Sequence, residues 1–165
     1  MNNYITVILD SAEQKGDQML SIRTVNNLKE LEDIMPVDEF AGKLHDMLVP
    51  FEDTVPEIKN GLDYALDTRG SRGGFILAAM EDDRLAGALV MLNTNMSGYV
   101  PENLLLYVAV DSDLRGRGIG TQLIEKAIER CKGNVKLHVE YDNPAKELYE
   151  RIGFVSKYAD MRYSG

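Results

Sequence analysis

The sequence predicts an α/β layered domain, a central mixed sheet with helices on its faces, on three observations. Strand-like apolar runs alternate with segments of helical period along the chain. Their order is a strand, two or three helices and two strands, followed by a βαβαβ series. One strand-to-helix joint in that series carries a glycine-spaced basic loop, Arg115-Gly116-Arg117-Gly118-Ile119-Gly120. At 165 residues the chain is read as a single domain, 1–165, large enough to bury a core without disulfides or metal.

The elements follow in order. Tyr4 to Leu9 is a short apolar run before a polar stretch, so residues 1–18 are read as an extra edge strand or an arm. Met19 to Val25 alternates as a strand does. Asn26 and Asn27 offer a helix N-cap, with Glu30 three residues after Asn27, and Leu28, Leu31, Ile34 and Met35 form the apolar face that ends at Pro36. A second helix is expected over Asp38 to Leu48 and a third after Pro56, through Ile58, Leu62, Ala65 and Leu66. Asp67 to Gly73 reads as a loop. Phe75 to Met80 and Leu85 to Leu92 read as an antiparallel pair joined at Glu81-Asp82-Asp83-Arg84. Asn93 to Asn103 is a longer loop, and Leu104 to Val110 is the strand that meets the glycine loop. The helix beyond the loop carries Ile119, Leu123, Ile124, Ala127, Ile128 and Cys131 on one face, with Gly133 as its stop. Val135 to Val139 is expected as a strand, Asn143 to Arg151 as a short helix, and 154–163 as one or two closing strands.

Composition narrows the function. The formal net charge is −9, which argues against a general nucleic-acid or membrane-surface role. From Leu114 to Lys136, however, Arg115, Arg117, Lys126, Arg130, Lys132 and Lys136 face only Glu125 and Glu129, a local charge of +4 that leaves −13 elsewhere. A basic island around one glycine loop in an acidic chain points to a small polyanion. A single cysteine, Cys131, no apolar run of membrane-spanning length and no basic leader at the N-terminus make the cytoplasm the expected location. No cluster has metal-ligand spacing, so no metal is expected.

The loop itself reads as a pyrophosphate cradle. Gly116, Gly118 and Gly120 let backbone approach phosphate and tolerate unusual φ/ψ. The amides from Arg115 to Thr121 point at the anion with the positive end of the following helix behind them, and the Arg115 and Arg117 side chains bind phosphate oxygens. Three motifs compete for the loop. A P-loop needs a lysine that is absent here. A dinucleotide fingerprint needs a glycine where Thr121 stands, although Glu140 is a candidate ribose ligand at about the right distance. The third pattern, [Q/R]-x-x-G-x-[G/A], is met by Arg115, Gly118 and Gly120 after Val108-Ala109-Val110.

With that pattern the sequence resembles the GNAT N-acetyltransferase superfamily. DNPAKELYERIGF at 142–154 is similar to the family's second motif, ending in Leu148, Tyr149, Gly153 and Phe154. The resemblance implies a central mixed, twisted sheet of about six or seven strands flanked by helices, and acetyl-CoA as the donor. It implies that the loop strand splays from the next parallel strand, and that backbone groups of Val108 and Val110 pair with the pantetheine arm. Tyr149 would be the general acid for the departing thiolate, and either Asp142 or Asn143 the cofactor contact, with Asn143 preferred. The position of the family's usual glutamate base holds Leu104. Glu102 is the candidate base, with Glu140, Glu81, Tyr99 or a water chain as alternatives; His138 is expected to be packed mid-strand and His45 at the surface.

The implied activity is N-acetylation of a primary amine by direct attack on the thioester, in a monomer or homodimer with no nucleic-acid or membrane partner. Asp38 to Asp67 holds Asp38, Glu39, Asp46, Glu52, Asp53, Glu57, Asp63 and Asp67 against Lys43 and Lys59. That balance suggests a cationic acceptor, a small molecule or a protein amine, or else merely solvated helix faces. Two rival functions stand beside it: a CoA-binding sensor without turnover, and a dinucleotide-binding oxidoreductase.

Overall fold

The computed structural model describes residues 19–67 and 73–165. A five-stranded sheet runs in the order β1 (Leu20–Val25), β2 (Gly74–Glu81), β3 (Arg84–Asn93), β4 (Asn103–Val110) and β5 (Val135–Leu137). The first four strands are antiparallel neighbours, and β5 lies parallel to β4. One sheet face is covered by α1 (Leu28–Glu32), α2 (Val37–Leu48) and α3 (Val55–Ala65), around Phe40, Leu44, Ile58 and Leu62. The other packs under α4 (Ile119–Arg130) and α5 (Ala145–Ile152), through Ile119, Leu123, Ile124 and Tyr149. Between them β2 and β3 are buried on both faces, as their continuous apolar runs require.

The cap of α1 was legible in the sequence; the capping box of α3, which begins at Val55 rather than after Pro56, was not read there. Asn27 Oδ1 accepts the Glu30 amide at 3.0 Å, and Glu30 accepts in return from the Asn26 amide at 2.8 Å. Thr54 and Glu57 form a full capping box at the start of α3. The face of α4 is buried at Ile119, Leu123, Ile124 and Ala127, while Ile128 is exposed. Gly133 does not stop this helix: Cys131 is the C-cap, and Gly133 takes a positive φ of 83° in the turn to β5.

Two strand expectations are corrected. The described residues give a five-stranded mixed sheet, in keeping with the expected architecture of about six or seven strands for the whole chain, and β5 ends at Leu137, not Val139. Residues 154–163 form no strand. Beyond Phe154 no backbone group of the tail makes a backbone hydrogen bond to another described residue, and β5 is only three residues long. The expected strand at Tyr4 to Leu9 lies outside the described residues. No helix among the described residues is long and apolar enough to cross a membrane.

Candidate active site

The site begins with an irregularity in β4. Tyr107 pairs with Val90 and Leu105 with the next residue, Met91, so Leu106 is an extra residue on β4, a β-bulge. Leu106 and Tyr107 consequently both face α2 and α3, while Leu105, Val108 and Val110 face α4 and α5. The bulge also reverses which backbone groups point to β5. Before it, the Asn103 amide donates to Asn134 on the β5 side; after it, the Asp111 amide donates to Ala86 on β3. By alternation Val108 and Val110 then turn their backbone away from β3. A bulge bends its strand, and the β4–β5 ladder ends at Leu105 and Leu137. The two strands part there, as the resemblance implies. A cavity of about 1320 Å³ opens between them, lined by Val108, Val110, Leu137 and Glu140 among others.

The glycine loop forms one end of this cavity, with Arg115, Gly116, Gly118, Gly120 and Thr121 in its wall. Gly116 and Gly118 have φ of 76° and 78°, a region costly for any side chain, and Gly118 is the α4 N-cap. Gly120 is helical with no positive φ, so only two of the three glycines are there for their backbone angles. Among the described residues no backbone oxygen accepts from the amides between Arg115 and Thr121; the first intrahelical bond of α4 is Gln122 to Gly118. A row of free amides at a helix start, on the cavity wall, is a site for an anion.

The two arginines part company. Arg115 Nε donates to the Val110 carbonyl at 3.2 Å, and its Nη2 to the Met47 carbonyl at the end of α2, 2.8 Å away, so it braces the loop against β4 and α2. Arg117 turns from the cavity and forms a two-point ion pair with Glu81, a carboxylate only 5% exposed. That pair raises the Arg117 pKa, through the Glu81 hydrogen bond first, and neither residue lines the cavity.

The opposite wall comes from α5 and the segment before it. Tyr149 is 8% exposed and lies edge-to-face with Phe154, centroids 5.9 Å apart. Its contact follows from the helix end: Gly153 adopts φ 114° as C-cap, and the Phe154 amide returns to the Tyr149 carbonyl at 2.9 Å. Burial pushes the Tyr149 phenol up to about 12. Its hydroxyl has no hydrogen-bond partner among the described residues, yet it is not sealed off, and Tyr149 lines the cavity. Asp142 and Asn143 both line the cavity; Asn143 Oδ1 accepts the Ala145 amide at 2.9 Å and so shapes the start of α5.

The candidate bases scatter. Glu102 accepts the Asn134 amide at 2.8 Å, holds the turn into β5 and is absent from the cavity lining; that bond holds its carboxyl below the usual range. Tyr99 is exposed and packs on Tyr158 at 5.7 Å. Glu140 lines the cavity. His138 is not packed in a strand but exposed beyond the end of β5, also on the cavity wall. His45 is half-buried and its Nδ1 donates to the Asp53 carbonyl at 2.8 Å.

Tyr107, whose hydroxyl donates to Asp53 Oδ2 at 2.6 Å, is a cavity residue the sequence reading did not single out, and Asp53 entered it only as one of eight acids. Tyr107 sat within a run of strand residues and Asp53 within a run of acids, so neither stood out. The tail also contributes: alternate residues Ser156, Tyr158, Asp160 and Arg162 line the cavity.

Residues 37–154 match the model of the acetyltransferase (GNAT) family. The chain belongs to that family. It is similar to an uncharacterized N-acetyltransferase of Methanocaldococcus jannaschii, 51% identical over 55 residues, which are 30% of this chain and 24% of the relative. It is 29% identical over 85 residues to N-alpha-acetyltransferase 30 of Schizosaccharomyces pombe, covering 48% of this chain and 57% of the relative. The matched stretches thus span less than two thirds of either relative. Among solved structures, aminoglycoside N-acetyltransferase AAC(6')-Iy in complex with CoA shares the fold, with a TM-score of 0.66 at 17% identity over 92% of this chain and 97% of the other.

Proposed function

We propose that this protein transfers the acetyl group of acetyl-CoA to a primary amine by direct attack, in the cavity where β4 and β5 diverge. One observation carries the reading: the free amides from Arg115 to Thr121 and the outward-turned backbone of Val108 and Val110 line a single cavity. The first suits a pyrophosphate, the second an extended amide-bearing arm that pairs as a strand would. The donor fits this wall in chemistry. The Val110 carbonyl is engaged by Arg115, which leaves the Val110 amide as the donor for a thioester oxygen.

In the reaction the amine nitrogen bonds to the thioester carbonyl carbon and the carbon–sulfur bond breaks. The nitrogen gives up a proton, and the thiolate receives one. Tyr149 is the acid for the thiolate, a buried phenol with a free hydroxyl on the cavity wall. Glu102 is bound to the Asn134 amide outside that wall, so Glu140 is the carboxylate better placed to take the nitrogen's proton.

Thiol release from acetyl-CoA across a panel of amines tests this. Tyr149→Phe keeps the ring and is expected to lower kcat by about 10²-fold or more, in line with general acid catalysis, at unchanged CoA affinity. A phenol with pKa of about 12 stays protonated through neutral and moderately alkaline pH. The wild-type rate therefore shows no alkaline fall from this group below about pH 11. Unchanged turnover in the variant, or an alkaline limb near pH 10 that vanishes with it, contradicts the assignment. CoA binding with no thiol release for any amine supports the sensor instead.

A further inference from the structure

We propose that Asp53, held by Tyr107, is the docking point for a second, protonated amino group on the acceptor, which makes the substrate a small polycationic amine such as a polyamine or an amino sugar. This rests on the acetyl-transfer reading above and names the substrate class of the same site.

Asp53 lies between α2 and α3 and is fixed from three directions. His45 holds its carbonyl at 2.8 Å, the Thr54–Glu57 capping box fixes the residue after it, and Tyr107 donates to its carboxylate at 2.6 Å. Tyr107 is buried on β4 beside the bulge, packed where α3 carries a glycine: a Cβ on Gly61 would lie 3.1 Å from Tyr107 Cε2 and 2.7 Å from Leu106 Cδ2. The tyrosine is thus a rigid post for the carboxylate. Its hydroxyl stays a donor at any working pH, since burial and the Asp53 hydrogen bond push its pKa well above the ordinary value.

No Lys, Arg or His side chain among the described residues forms an ion pair with Asp53. Its side-chain partner is a neutral phenol, and Glu57 adds further negative charge near Tyr107. The cavity that Asp53 lines is lined also by apolar Leu48 and Phe51, by Val110 and by the amide-rich loop. The same wall carries an amide row suited to a polyanion and a carboxylate without a cationic side chain on it among the described residues. An ammonium group beside apolar walls gains a charge-assisted hydrogen bond there. An acceptor with two amino groups can leave one protonated at Asp53 while the other, as free base, meets the thioester.

The test uses calorimetry on the full chain and on Asp53→Asn. CoA is titrated first, then spermidine, kanamycin and propylamine into each protein–CoA complex. Equal CoA affinity is expected, with spermidine or kanamycin binding the wild type at least about tenfold more tightly than propylamine, a margin lost in the variant and reduced by salt. Tyr107→Phe, which frees the carboxylate from its post, loses part of the margin. In turnover the Asp53→Asn effect falls on the acceptor KM, with kcat within about twofold. CoA binding normally while polycations bind no better than propylamine, or bind Asp53→Asn as well as wild type, overturns this inference and leaves acetyl transfer standing. Failure of CoA to bind the wild type removes both.

Discussion

At the scale of single residues, two arginines two positions apart in one loop do different work. Arg115 ties the loop to the Val110 and Met47 carbonyls on the cavity wall, whereas Arg117 neutralises Glu81 at the end of β2. Arg117→Ala therefore leaves a buried carboxylate without its counter-charge and lowers the melting temperature while CoA affinity holds. Arg115→Ala loosens the loop and lowers CoA affinity by about tenfold. Parallel melting curves and CoA titrations of the two variants check this; a larger affinity loss for Arg117→Ala would reverse the roles. The sequence displayed both arginines beside a phosphate-type loop, but their division depends on Glu81, 36 residues away along the chain and brought near only by the sheet. The L-Y-x-x-x-G-F ending was more legible, since Gly153 and Phe154 act within one helix end to seat Tyr149. Spacing along a helix is local. The partner of a loop arginine is not.

At the scale of elements, the feature that creates the cavity is one extra residue in β4. Leu104-Leu105-Leu106-Tyr107 is apolar throughout, so no break in hydrophobic alternation marks Leu106 as the bulge. The room for the bulged pair comes from α3, where Gly61 faces Leu106 and Tyr107. Gly61→Ala crowds that contact, and overpacking of this kind costs about 1–3 kcal/mol. Thermal unfolding should show a fall of several degrees; an unchanged or higher melting temperature would mean that the helix propensity gained outweighs the crowding. The cap of α1 was written locally as N-N-L-K-E, which is why that helix start can be read from sequence, and the capping box of α3 in T-V-P-E is equally local. The closing segment is the reverse case. Its alternation is real, with Ser156, Tyr158, Asp160 and Arg162 on the cavity and Val155, Met161 and Tyr163 exposed at 82%, 91% and 96%. Alternation states which face a residue takes, but a strand also needs a neighbouring edge, and a sequence window does not contain one.

At the scale of the whole molecule, the charge distribution and the cavity agree. A chain of net charge −9 brings free amides, Arg115 and a carboxylate, Asp53, that no cationic side chain among the described residues pairs, onto the wall of one cavity. The amide-rich loop was legible because its chemistry is backbone chemistry, and glycine spacing reports backbone directly. The place of Asp53 was not, because an aspartate among eight acids between Asp38 and Asp67 stands apart only through Tyr107, which the fold brings to it across 54 positions. The central claim is that the cavity holds a CoA thioester, and thermal unfolding with acetyl-CoA, CoA, NAD and ATP in parallel tests it most directly. Acetyl-CoA and CoA at about 100 times Kd are expected to add about 2.7 kcal/mol, a rise of several degrees, with NAD giving no shift and with the CoA shift lost in Gly118→Leu. A rise with NAD and none with either CoA species would contradict the account.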